Sequence, residues 1–194
     1  MSKKIFIIFG HNRYKSGSSF NAAIRDTFIE EAKKKGHEID LVNIYDDKQI
    51  KFWDGGGPDE QILDYRKRLE QADIMMVMSP CHNYIMNSAT ENFIANVFTP
   101  PWAFKYKKVF RNYGFPVPNM LKGKTAIISM TYGGPSFFVS AIIQQIPRRI
   151  KKMVFSGLCG MKVKYLRFYE VLPDMPKEIF EKHMEKVRKT AQQL

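Results

Sequence analysis

Ile5-Phe6-Ile7-Ile8-Phe9, closed by Gly10, is an unbroken apolar run. A strand with one face in water alternates apolar and polar residues. A run without alternation suits a strand buried on both faces, as in a parallel sheet covered by helices. The residues at 10–18 are rich in Gly, Ser, Asn and Lys and read as a loop. From Ser19 the pattern turns helical: Phe20, Ala23, Ile24, Phe28 and Ala32 share a face, with Glu30, Lys33 and Lys34 largely opposite. Gly36 stands where a C′ residue would end that helix. Residues 38–43 read as a short, half-buried strand.

The same alternation continues along the chain. Residues 58–72 read as a helix with Ile62, Leu63, Tyr65 and Leu69 as its apolar positions, and 74–78 as a third strand, apolar on both faces. A helix over 87–97 precedes a long loop at 98–123, punctuated by Pro100, Pro101, Pro116 and Pro118; loops of that length in compact domains are usually functional. A fourth strand over 125–131 stops at Tyr132-Gly133-Gly134. A helix over 138–152 follows, with Ile142, Ile143, Ile146 and Ile150 as its stripe and Pro147 as a kink, then a fifth strand at 161–168 and a last helix at 176–193. Five β-α units predict a parallel sheet with helices on both faces and right-handed crossovers. The expected fold class is therefore α/β: one domain over 1–194, a flavodoxin-like three-layer sandwich with a five-stranded parallel sheet of order 2-1-3-4-5.

The 194 residues suffice for one buried core, and apolar and charged fractions of 44% and 26% are ordinary for a globular protein. The charge is lopsided, 31 Lys plus Arg against 19 Asp plus Glu, a net of +12. Such a field attracts anions without saying which. The basic residues form no recognisable nucleic-acid module, so nucleic acid is not an expected partner. Cys81 and Cys159 have neither disulfide-framework nor metal-ligand spacing. The first apolar run is too short for a signal h-region, and no window reaches a membrane-spanning length. The expected location is a reducing cytoplasm, with any membrane association peripheral.

In open parallel sheets ligands sit outside the carboxyl ends of the strands, at the switch point of strand order. Three loops leave those ends here. The first, from Gly10 and His11 through Ser16, Ser18 and Ser19 to Asn21, runs into a helix N-terminus. Unpaired N–H groups and the helix dipole favour a phosphate there, with Arg13 and Lys15 adding charge. It lacks the G-x-G-x-x-G and Walker A patterns, and a plain N-cap explains its serines equally well. The second is Ser79-Pro80-Cys81-His82-Asn83-Tyr84. Its polar and aromatic residues could edge a planar ligand, or simply turn into the next helix. Cys81 and His82 are adjacent, so on an extended chain they point apart and do not form a nucleophile pair. The third is Thr131-Tyr132-Gly133-Gly134-Pro135, whose paired glycines let a backbone approach a ligand closely. Together the three loops point to a flat, phosphorylated ligand.

At these residues the chain resembles the flavodoxin-like family of NAD(P)H:quinone oxidoreductases, which includes the ancillary regulators of potassium efflux systems. The resemblance runs through Gly10-His11, Ser19-Phe20-Asn21-Ala22-Ala23, Ala72-Asp73, Pro80, Val97-Phe98-Thr99-Pro100, Ala103-Phe104-Lys105-Tyr106, Leu121-Lys122-Gly123-Lys124, and Thr131 with Gly133-Gly134-Pro135. It implies bound FMN or FAD, NADPH or NADH as hydride donor, a quinone-like small-molecule acceptor, and a homodimer with the site at the interface. The aromatics of 98–115, which a monomer would struggle to bury, point the same way. By position His11, Ser18, Ser19, Phe20 and Asn21 would hold the flavin phosphate and ribityl chain. Pro80, Cys81, His82, Asn83 and Tyr84 would edge the ring, and Thr131, Tyr132, Gly133 and Gly134 would close over its other side. Tyr106, supplied across the dimer, and His82 are the candidate catalytic proton donors. The chain departs from the family where Cys81, His82, Asn83 and Tyr84 replace its usual Leu and bulky aromatics. It departs again where Asn87 replaces a Pro, and where Glu91-Asn92-Phe93 replaces Lys-Gly-Trp. Its first loop is also longer than usual. These departures support a rival reading, a flavin-binding regulatory subunit of a membrane transporter or other partner, with little turnover.

Overall fold

The computed structural model describes residues 1–11, 19–46, 50–111, 113–139 and 150–194. Five strands form one parallel sheet: β1 (Lys4–Phe9), β2 (Glu38–Asn43), β3 (Ile74–His82), β7 (Thr125–Thr131) and β8 (Lys162–Phe168). Their spatial order is β2-β1-β3-β7-β8. With the intervening short strands set aside, this is the order 2-1-3-4-5 expected from the sequence.

The run that opens the chain shows why β1 is central. Its side chains alternate between two cores. Ile5, Ile7 and Phe9 meet α1 (Phe20–Lys34) and the last helix, α5 (Lys177–Gln192), through Ile24, Phe28, Ala32, Met184 and Val187. Phe6 and Ile8 meet α2 (Glu60–Gln71) and α3 (Ser88–Val97) through Ile62, Leu69, Phe93 and Val97. Each of these five residues is at most 1% exposed, and burying such a side chain stabilises the fold by about 1.5–3 kcal/mol. No face of β1 meets water, so no alternation survives in its sequence.

The helix ends follow the local chemistry. Ser19 Oγ accepts from Ala22 N (3.1 Å) at the start of α1, and Asp59 Oδ1 accepts from Ile62 N (2.9 Å) at the start of α2. Gly36 takes φ +80°, the left-handed geometry that ends α1. Arg68 on α2 grips Asp40 of β2 with two bonds, at 2.5 and 3.1 Å, and so fixes the helix over the sheet edge.

Two sequence expectations are corrected, and a third lies mostly outside the described residues. Residues 98–123 are not structureless: β5 (Phe104–Phe110) and β6 (Tyr113–Pro118) pair as an antiparallel hairpin. Prolines read as strand breakers, but a two-stranded ribbon has only edge strands, where a missing N–H is tolerated. Pro116 and Pro118 sit there opposite Tyr106 and Phe104. Strand β3 also runs four residues past Met78 to His82, and folds back on β4 (Ile85–Met86). Finally, the helix expected over 138–152 falls largely outside the described residues. Its described flanks are a short helix, α4 (Ser136–Phe138), and a π-helical segment, Ile150–Leu158, which continues past the predicted end. Among the described residues no helix is long and apolar enough to cross a membrane.

Candidate functional site

The carboxyl ends of β1, β3 and β7 come together, as their register dictates: Phe9 lies beside Met78, and Pro80 beside Thr131. Asn21, in the first turn of α1, exchanges hydrogen bonds with Thr131 across this edge (3.3 Å), so the first and third predicted loops are physically joined. Two cavities open beside that tie. One, of about 310 Å³, is lined by Cys81, Asn83, Tyr84, Tyr132, Gly133, Gly134 and Val139. The other, of about 730 Å³, is bordered by His11, Ser19, Phe20 and Asn21 on one side and by Val171, Leu172, Pro173 and Met175 on the other. Ser18, Arg13 and Lys15 lie outside the described residues. Pro80 is buried between neighbouring strands and lines neither cavity.

The 81–84 segment is a tight hairpin. Asn83 and Tyr84 both take positive φ, +48° and +68°. Asn accepts this conformation readily and a bulky Tyr rarely does. Strain of this kind is held in place by its surroundings, and it clusters where a site needs a fixed geometry. Here it presents the Tyr84 ring to solvent at the rim of the smaller cavity.

Electrostatics separates the candidates. Burial pushes the Cys81 thiol up from its ordinary value, which leaves it a neutral thiol. Tyr132 is pushed up to about 12 by burial. Its hydroxyl meets the Tyr165 hydroxyl at 2.6 Å and lies 3.7 Å from Met130 Sδ. Tyr132 therefore offers the cavity a wall and not an acid. His11 is lowered from 6.5, chiefly by burial and then by the facing His82 imidazole. Its Nδ1 lies 3.4 Å from Ser19 Oγ, at the head of α1. His82 itself is exposed at the end of β3.

His37 and His183 are also lowered, again mainly by burial. A histidine with a depressed folded value binds fewer protons folded than unfolded. Stability is then full above the unfolded value near 6.5 and declines as pH falls below it. Glu91, raised by burial, acts in the opposite sense but is a single group. The thermal midpoint should therefore fall between pH 7 and pH 5, and a flat or rising midpoint would contradict this.

The residues that hold the edge together were not singled out as site residues by sequence reasoning. Asn87 caps α3 by accepting from Thr90 N (3.0 Å), takes a bond from Thr90 Oγ1 (2.8 Å), and donates through Nδ2 to Gly10 O. Its own N–H donates to Ser79 Oγ (3.2 Å). One buried residue thus locks α3 to the end of β1 through its side chain and to β3 through its backbone N–H. An Asn at the head of a helical pattern was the available signal. Asn87→Ala removes a cap worth about 1 kcal/mol and leaves a buried carbonyl unpaired at about 1–3 kcal/mol. Urea unfolding should show a loss of roughly 3 kcal/mol in sum.

Tyr106 is elsewhere. It stands 62% exposed on the β5–β6 hairpin, and the cavity it lines is shared with Lys108, Tyr113 and Gly114, not with the 81–84 or 132–134 residues.

The chain matches the family described as flavodoxin-like fold over residues 3–191, and it belongs to that family. Its relatives among solved structures are similar in fold at low identity. Smu.1420 of Streptococcus mutans superposes with a TM-score of 0.82 at 23% identity, covering 98% of this chain and 100% of its own. The NAD(P)H:quinone oxidoreductase of Methanothermobacter marburgensis gives 0.78 at 14%, covering 99% and 96%. An FMN-dependent NADH-azoreductase of Bacillus anthracis, in complex with FMN, gives 0.76 at 17%, covering 98% of each. No curated protein matches the chain.

Proposed function

We propose that the chain is a flavin-dependent NAD(P)H oxidoreductase that passes two electrons as hydride from NAD(P)H, by way of FMN, to a quinone-like acceptor. The observation that carries this reading is the Asn21–Thr131 tie, which sets a helix N-terminus beside a glycine-lined cavity at one sheet edge. The donor set fits a flavin nucleotide. The head of α1, with Ser19 and His11, suits a phosphate, and the smaller cavity suits one edge of a flat ring. Among the described residues a side chain at Gly133 would meet only Leu172, at 3.7 Å, which leaves room beside it for a ligand. FAD would need the same phosphate end. Relatives named for quinone reduction and for FMN-dependent azo reduction support this chemistry.

When bound, the flavin supplies the hydride chemistry, and the protein supplies orientation and electrostatics. Backbone N–H groups of Gly133 and Gly134, which border the smaller cavity, would favour negative charge at the ring edge. The 81–84 hairpin would bound the ring, and buried Tyr132 would form part of the cavity wall. His82, and Tyr106 delivered from a second copy of the chain, are the proposed proton donors to a reduced acceptor. Tyr106→Phe should slow quinone reduction about 100-fold, at the low end of general-acid contributions, with flavin content intact. Unchanged turnover would remove Tyr106 from the mechanism.

The deciding experiment is the visible spectrum of the purified protein before and after anaerobic NADPH or NADH. A flavin spectrum that bleaches supports the proposal. A flavin spectrum untouched by either donor favours the regulatory reading, which the substituted 81–84 hairpin motivates. A colourless protein that takes up neither FMN nor FAD overturns both.

A further inference from the structure

At the carboxyl end of β8 another cavity opens, of about 320 Å³. Three cations line it: Arg167 near the end of β8, and Lys182 and Lys186 on α5. Ile179, Lys182, His183 and Lys186 follow the spacing of three and four that puts side chains on one helix face, and all four border the cavity. Among the described residues none of the three cations has a carboxylate within ion-pair distance. Two acids of the same helix are taken elsewhere: Arg188 meets Glu181 at 3.7 Å and Glu185 at 3.6 Å, and Lys189 meets Glu185 at 3.4 Å.

Two of these cations are tied to the wall. Lys186 Nζ donates to Arg167 O (2.7 Å), which leaves it two further N–H donors. The Arg167 guanidinium lies 4.7 Å from the centre of the Tyr165 ring and donates to Tyr169 Oη (3.4 Å). His183 Nε2 donates to Tyr169 O (2.9 Å). Burial lowers His183 from 6.5, and the charges of Lys186 and Lys182 add to that, so it lines the cavity as a neutral ring at pH 7. Glu170 is the one carboxylate among the described lining residues. Three positive charges against one negative leave +2. That is the complement of a phosphomonoester, which carries about −1.5 to −2 at pH 7.

We propose that this cavity holds the 2′-phosphate of NADPH and makes NADPH, rather than NADH, the preferred hydride donor. The inference rests on the proposed function and names its donor. The cavity lies back to back with the smaller one at the sheet edge. Tyr132 borders that one and Tyr169 this one, and their rings stack with centroids 5.6 Å apart and planes at 21°. Gly134 borders the first and Ser136 the second, and two residues of chain span at most about 7 Å. The backbone is stitched together here: Tyr132 N donates to Phe168 O (2.8 Å), Val171 N to Tyr132 O (3.0 Å) and Glu170 N to Gly134 O (3.2 Å). A dinucleotide whose nicotinamide enters the smaller cavity therefore has a cationic cavity one rim away for its phosphate. Arg167 brings a planar fork that matches phosphate oxygens, and the lysines bring point charges. NADH carries a hydroxyl at that position and gains none of these charged contacts.

The test is calorimetric titration of the purified full chain with 2′,5′-ADP and with 5′-AMP, which differ in the 2′-phosphate alone, beside kcat/KM for NADPH and for NADH. Flavin content is read on each sample. The native chain should bind 2′,5′-ADP about tenfold or more tighter than 5′-AMP, as a hydrogen bond to a charged group contributes, and high salt should shrink the difference. Lys182→Ala/Lys186→Ala should remove that difference and lower the NADPH-to-NADH ratio of kcat/KM by about tenfold or more. Damage to the fold or loss of flavin would lower both donors together and leave the ratio as it was. Arg167→Lys keeps the charge and loses the fork, and should lower the ratio by less. Equal binding of the two nucleotides, equal use of the two donors, or a ratio that the double variant leaves unchanged overturns the inference. So does inorganic phosphate that binds as tightly as 2′,5′-ADP while the ratio stays the same, which would make free phosphate the occupant. A flavin-free chain that still tells 2′,5′-ADP from 5′-AMP through these lysines overturns the proposed function and leaves the phosphate site standing.

Discussion

Gly10→Ala should cost the protein about 4 kcal/mol, a large share of the roughly 5–15 kcal/mol that holds an ordinary chain folded. A Cβ built at Gly10 falls 1.8 Å from Thr90 Oγ1, 3.1 Å from Thr90 Cβ and 3.4 Å from the Met78 carbonyl. Gly10 is held by its N–H to Met78 O (2.9 Å) and by its carbonyl to Asn87, so the backbone has little room to retreat. Thr90 is fully buried, and its hydroxyl is committed to Asn87 Oδ1. The new methyl must force Thr90 off its rotamer, at about 1–3 kcal/mol for overpacking, and break a buried hydrogen bond at about 1–3 kcal/mol. Thr90→Ala should rescue much of the loss. A double-mutant cycle in urea should therefore show coupling above about 1 kcal/mol, as for residues in contact. A loss below 1 kcal/mol in the single variant would mean that α3 can shift away from β1.

Gly133→Val is expected to do the reverse: leave the fold intact and empty the site. Gly133 is not among the glycines with positive φ, so valine meets no backbone strain. Among the described residues its Cβ would meet only the tip of Leu172. Gly133 borders the cavity shared with Cys81, Asn83 and Tyr84, and its Cβ would face Leu172, which borders the larger cavity. Under the proposed function the expected result is a fall in FMN affinity of about 100-fold, roughly 2.7 kcal/mol, with the urea midpoint of the flavin-free protein unchanged. Equal FMN affinity in the variant would place the ring elsewhere. The two glycines thus separate stability from binding: one is glycine because protein fills the space beside it, the other because protein leaves that space open.

The order of the sheet was legible in the sequence because both-face burial writes itself locally. Ile5 to Phe9 and 74–78 are continuous apolar runs, 125–131 holds a shorter one at Ala126 to Ile128, helical patterns separate them, and right-handed crossovers leave few topologies. The three loops at the carboxyl edge were legible for the same reason, since strand polarity alone decides which loops share an end. The lock of Gly10, Asn87 and Thr90 was not. Its partners lie 77 positions apart, and nothing local says that an N-cap on one helix also reaches the end of a distant strand.

The hairpin at 104–118 was missed because proline is forbidden only where a strand has neighbours on both sides, a condition that belongs to tertiary structure. The overrun of β3 depended likewise on a turn at Asn83 and Tyr84 whose backbone no propensity for Tyr would favour. By itself, then, the sequence determined the strands, their parallel order and the edge where a ligand would sit, because burial and polarity are local signals. The tertiary structure alone decided which side chains close that edge, which of its groups face solvent, and where the unpartnered charge and aromatics stand, because those depend on contacts between residues remote in the chain.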